Sequence, residues 1–148
     1  MIVKFEQSLS HEDIEILIKY KAMNKDVERI TALLRAMEKQ IVCRLEGSEK
    51  LINASDIYYI ESVDKKTFVY CERSVYQTDL PLCRLAEDLS GLRFTQTSKS
   101  CVLNLNYLDS IKTLMNSRME ATLKNGERLL VTRKYLNTIK QALREVSV

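Results

Sequence analysis

Three short cationic stretches carry the side chains best suited to recognition. Ser98-Lys99-Ser100 separates Phe94–Thr97 from Cys101-Val102-Leu103, Arg133-Lys134 follows Leu129-Leu130-Val131, and Lys65-Lys66-Thr67 opens another β-forming run. A strand end holds its backbone still, so a cation mounted there is presented with little conformational freedom to lose. Arg can grip a guanine edge through two parallel hydrogen bonds, whereas Lys and Ser suit phosphate oxygens or single acceptors. Taken singly, each stretch has a plainer reading. Lys65 and Lys66 read as an exposed turn, Ser98 and Ser100 as caps, and Arg133 as the partner of Glu145 or as a cap of the last helix. Taken together they suit a polyanion better than they suit bond-breaking chemistry.

Catalytic readings find little support. His11 sits in an acidic SHED turn with no partner to make it a general base. Ser98 and Ser100 lack a nearby base or a G-x-S-x-G elbow. Three glycines in all leave no phosphate-cradling loop. Cys43, Cys71, Cys83 and Cys101 form no C-x-x-C pair and lie far from the single histidine, so a metal site is not expected. Each reads as a small buried hydrophobe in a reducing compartment. The chain is therefore expected to be a non-enzyme without cofactor.

At 148 residues, 45% hydrophobic and 29% charged, the chain reads as one globular domain, with or without an arm. No apolar run reaches the ~18 residues of a membrane span. The segment MIVKFEQSLSHED is too acidic for a secretory signal, so a cytoplasmic protein is expected. The net charge of +3 is unevenly placed: residues 1–43 are neutral, 44–92 carry −3 and 93–148 carry +6. The positive field is thus concentrated around Lys99 and Arg133, which suits a polyanion-binding surface and equally a solvated face without a partner.

The elements that must position these residues are mostly strands. Alternation predicts short strands at Ile2–Phe5 and Ile14–Tyr20. Asn24 caps a predicted helix running from Lys25 to about Gln40. Val27, Ile30, Leu34, Met37 and Ile41 form a heptad-like seam on it, suited to intramolecular packing or to a dimer. A β-rich block follows at Val42–Glu46, Lys50–Ile52, Asp56–Glu61, Thr67–Cys71 and Ser74–Thr78. Asp79 and Pro81 open a helix bearing Leu82, Leu85 and Leu89, and Gly91 ends it. After Ile111–Met115, Asn125-Gly126 predicts a type I′ hairpin between Arg118–Leu123 and Arg128–Val131. A last helix runs from about Lys134 to Glu145, with Leu136, Ile139 and Leu143 inward. The boundary between a strand-helix arm (1–41) and the β-rich domain (42–148) falls near Met37–Val42.

DIYYIES, DKKTFVY, the Leu-rich helix, LRFTQTSKSCVLNLNYLDSI and LKNGERLLVTRKYL, in that order over residues 42–145, resemble the LytTR family of bacterial DNA-binding domains. The resemblance implies a mainly β, elongated domain of small antiparallel sheets with few helices. It implies sequence-specific binding of promoter DNA by loops inserted into major and minor grooves. The loops would be Lys65, Lys66 and Thr67, then Ser98, Lys99 and Ser100, then Arg133 and Lys134. Asn104 would be a structural turn residue. Thr67 and Ser98 stand where several family members have His, which bears on sequence preference. The short segment before the domain is similar to that of stand-alone LytTR regulators without a receiver domain. That similarity implies transcription regulation, an arm used for dimerisation, and a small membrane protein that restrains the regulator. The alternative is a protein-interaction module whose basic face meets an acidic or membrane-protein partner. RNA binding would instead need exposed aromatics on a sheet face, whereas Tyr58, Tyr59, Tyr70 and Tyr76 read as core or edge.

Overall fold

The structure, a computed structural model, describes residues 1–115 and 118–146, with the side chains of 145 and 146 outside the description. Seven strands form one antiparallel sheet: β1 (Gln40–Leu45), β2 (Ser48–Asn53), β3 (Ile57–Val63), β4 (Lys66–Cys71), β5 (Val75–Thr78), β6 (Phe94–Ser98) and β7 (Cys101–Asn104). Their order is β2-β1-β5-β4-β3-β7-β6. A second antiparallel sheet, in the order β10-β9-β8, contains β8 (Leu108–Thr113), β9 (Met119–Leu123) and β10 (Arg128–Val131). The helices are α1 (Lys25–Glu38), α2 (Leu82–Leu89) and α3 (Arg133–Val146). The mainly β expectation holds.

In the large sheet β3 and β7 are covered on both faces, which is why they read as nearly continuous apolar runs. Ile60, Val69, Tyr76 and Val102 meet Leu82, Leu85 and Leu89 of α2 on one face. Tyr59, Cys101 and Leu103 on the other meet Ala121, Leu123 and Val131 of the small sheet and Ile139 of α3. All four residues of β7 are buried, as this double-sided packing requires. Two tyrosine pairs stack almost parallel, Tyr58 on Tyr107 at 3.8 Å and Tyr59 on Tyr70 at 4.1 Å. Tyr58, Tyr59 and Tyr76 are buried, so these rings are spent in the core and do not form a base-stacking platform.

Asn24 caps α1 as expected, its Oδ1 accepting the Val27 N–H at 3.0 Å. The helix is seated through Val27, Ala32 and Ala36, and Ala36 belongs to the α2-side core. Of the expected seam, Met37 is exposed and Ile41 belongs to β1. Other expectations need correction. Residues 2–5 and 14–20 lie outside any ladder, because within this chain they meet no strand edge. An isolated strand pair of this size is marginal in water. Asp79 does not cap α2: the cap position is Pro81, and Asp79 accepts from Arg44 Nη2 at 2.7 Å instead. The hairpin at Asn125-Gly126 exists, but only Gly126 has a positive φ, at 89°. The Gly126 N–H donates to Leu123 O at 2.9 Å, so a type I turn runs into a left-handed glycine, giving a three-residue loop. The Lys124 N–H, held by Tyr107 O at 2.8 Å, anchors that geometry.

The cysteines divide. Cys83 is exposed on α2, contrary to the expectation, whereas Cys43 and Cys101 are buried and Cys71 is half-buried. Burial pushes the thiols of Cys43, Cys71 and Cys101 from 9.0 up to about 11. A group whose native pKa is raised keeps its proton in the fold after the unfolded chain has lost it. Stability is therefore complete below pH 9.0 and falls as the pH rises toward about 11. Thermal midpoints measured across that window should decline, and less steeply for Cys101→Ala. In native protein, a thiol reagent should modify Cys83 first and Cys43 last.

Candidate nucleic-acid interface

Local geometry fixes each of the three cationic stretches. Val63 pairs with Lys66, leaving Asp64-Lys65 as a two-residue turn with φ of 50° and 65°. Both residues are left-handed without glycine, a conformation that costs an L-residue roughly 1–2 kcal/mol. The turn puts Lys65 at its tip and Lys66 at the first position of β4, both exposed. Lys99-Ser100 joins β6 to β7. There the Ser100 N–H donates to Ser98 Oγ at 3.3 Å, so the Ser98 hydroxyl shapes the loop. Lys99 is left exposed at the apex. Arg133 and Lys134 open α3 and are exposed, and Lys134 Nζ lies 5.5 Å from the Tyr135 ring.

Backbone hydrogen bonds tie the three stretches together. The Ser62 N–H donates to Ser100 O at 2.8 Å, joining the end of β3 to the β6–β7 loop. The Thr132 N–H donates to Thr97 O, also at 2.8 Å, joining the end of β10 to the end of β6. The Asp64-Lys65 turn, Lys99 and Arg133 therefore share one rim. From β4 through β3 and β7 to β6 is three strand spacings, about 14 Å. That is close to the ~12 Å width of a DNA major groove. Among the described residues, no carboxylate forms an ion pair with Lys65, Lys66, Lys99 or Arg133. The alternative partner of Arg133, Glu145, has its side chain outside the described residues.

Thr67 departs from the expected reading set. It is 5% exposed, on the same face of β4 as Val69. Strand alternation turns its hydroxyl away from the surface that Lys66 occupies. The sequence reading also missed Arg118. This exposed residue precedes β9, whose first residue, Met119, pairs with Val131. Arg118 lines a cleft of about 270 Å³ with Thr132, Arg133 and Leu136, which adds a further cation to the rim. Only the β9–β10 register brings it there, and no local motif marks it.

Among the described residues, no group of three His, Cys, Asp or Glu is placed to hold a metal ion. No helix among them is long and apolar enough to cross a membrane. His11 lies in an exposed turn, 3.5 Å from Glu15.

The model of the LytTr DNA-binding domain family matches residues 48–144. The chain is 32% identical over 100 residues to the sensory transduction protein LytT of Bacillus cereus, covering 68% of this chain and 41% of that protein. It is 26% identical over 136 residues to LytT of Bacillus anthracis, covering 88% and 55%. The chain thus spans about half the length of these relatives. A Staphylococcus aureus protein described as an HTH-type transcriptional regulator is 24% identical over 123 residues, covering 82% of this chain and 83% of that one. The fold matches the LytTr DNA-binding domain of a methyl-accepting/DNA response regulator from Bacillus cereus. The TM-score is 0.64 at 23% identity, over 70% of this chain and 95% of that domain. The family match takes in both sheets except β1, and with them every cation of the rim: the chain belongs to the LytTr DNA-binding domain family.

Proposed function

We propose that this protein is a sequence-specific transcriptional regulator that reads promoter duplex with the rim formed by Lys65, Lys66, Lys99, Arg118, Arg133 and Lys134. The observation that carries this reading is the pair of backbone ties, Ser62 to Ser100 and Thr97 to Thr132, which gather cations from three distant stretches. Arg133 supplies base readout through its forked donors, and Lys99 contacts phosphate. Ser98 and Ser100 shape the loop between them. The strained Asp64-Lys65 turn fits the same role, since left-handed non-glycine residues persist where geometry serves a site. One subunit would occupy each of two direct repeats, with loops entering major and minor grooves. The working setting is the cytoplasm, with residues 1–41 engaging a second subunit or a small membrane protein that restrains the regulator.

A gel shift on the region upstream of its own gene tests this reading. Retardation should survive a large excess of nonspecific duplex. Retardation that vanishes with competitor would favour a protein-interaction module whose basic face meets an acidic partner. Lys99→Ala should weaken binding to all sequences alike and lower the slope of log K against log salt by about 1. Titrations at several salt concentrations would show it.

A further inference from the structure

We infer that residues 14–20 pair with the free edge of β2 in a second copy of this chain, making a reciprocal strand-exchanged dimer. This deepens the dimeric reading above, and its test uses no DNA. The Ile14–Tyr20 segment alternates like a strand yet joins no ladder, and Ile14, Ile16 and Leu17 are 93%, 59% and 74% exposed. Ile2 and Phe5 beside it are also exposed, and the segment turns back between them at Ser8–His11. Residues this apolar and this open require a partner surface.

The same chain carries a vacant surface of matching type. β2 is the terminal strand of the large sheet, so its outer N–H and C=O groups face no strand. Lys50, Leu51, Ile52 and Asn53 together line one side of a groove of about 370 Å³. Four consecutive residues of alternating orientation can line one groove only along the edge of their strand. Leu51 and its β1 partner Val42 are 57% and 52% exposed and extend the apolar strip.

Within one molecule the two halves stay apart: residues 14–20 join no ladder, and β2 keeps an open edge. The C-terminal end of α1 is pinned beside β2, the Ala54 N–H donating to Lys39 O at 2.8 Å. Glu28, Thr31, Ala32 and Arg35 of the helix lie along Ser90, Gly91 and Arg93, with Met23 beside them. The 14 residues of α1 put about 21 Å between its ends. Lys21–Asn24 could reach at most about 14 Å if straight, and a bend at Lys21-Ala22 shortens that reach. Asn24 Nδ2 holds the bend by donating to Ala22 O at 3.3 Å. With each left open in its own chain, the strand and its edge are assigned to different copies. The arm plus the six residues of β2 supply the roughly 20–30 residues a side typical of a stable interface.

Light scattering on the full chain at micromolar concentration should report a dimer. Deleting residues 1–23 should give a monomer, and so should Leu51→Lys, which charges the edge without touching the core. The variant Ile14→Lys/Ile16→Lys keeps chain length and decides the matter if the truncated chain does not fold. Circular dichroism of the charged variants should match that of the unmodified protein. A monomeric full chain overturns the inference. So does a dimer that survives Leu51→Lys or the paired arm substitution, which would place the contact elsewhere, for example on α1.

Discussion

Arg133→Ala should lower affinity for the specific duplex by about 5- to 150-fold, equivalent to ~1–3 kcal/mol, and should relax discrimination at the base it contacts. The physical reason is its position. Thr132, immediately before it, is fixed to Thr97 by its N–H and again by its hydroxyl at 3.4 Å. The guanidinium therefore projects from an anchored backbone at the start of α3, so little order is left to impose on binding. Lys at this position would keep the charge but lose the fork, so Arg133→Lys should retain nonspecific affinity while losing specificity. Competition titrations against single-base variants of the site would separate the two effects. Equal affinity of Arg133→Ala and the unmodified protein for the specific duplex would remove Arg133 from the readout set.

Asn104→Ala should destabilise the fold by about 2–4 kcal/mol while leaving the rim chemically intact. Asn104 is buried at the end of β7, where its Nδ2 donates to Ile57 O at 2.9 Å and its Oδ1 accepts the Asn106 N–H at 3.0 Å. One amide thereby joins the start of β3 to the turn leading into β8. Alanine would leave the Ile57 carbonyl without that donor in the interior, and no water could readily replace it. Chemical denaturation should show a lower midpoint with an unchanged slope. DNA affinity measured well below the melting transition should stay near that of the unmodified protein. A midpoint within error of the parent would show that the turn closes without this side chain.

The readability of this fold from residues alone follows its physics. Runs of β-forming residues bounded by short polar turns located β3, β4 and β5, because both signals are local. The helix caps were legible at Asn24, where a side chain meets its own first turn, but not at Asp79, where a distant Arg44 takes the carboxylate. The fold placed Thr67 in the core, a position that its shared parity with Val69 foreshadows. Residues 14–20 have the strand pattern without the ladder, since a pattern specifies a face and not a neighbour. The site itself was legible only as scattered cations. What gathers them is backbone hydrogen bonding at Ser62 and Thr132, which any non-proline residue could make and which leaves no mark in composition. Arg118 escaped notice for the same reason.

Amide chemical shifts followed while a duplex from the upstream region is titrated in would test the central claim most directly. The account predicts that the largest changes fall together at Asp64–Lys66, Ser98–Ser100, Arg118 and Thr132–Lys134, with α1 and the α2 surface unmoved. Changes concentrated on α1, on α2 or on the open face of β1 and β2, with that rim silent, would contradict it.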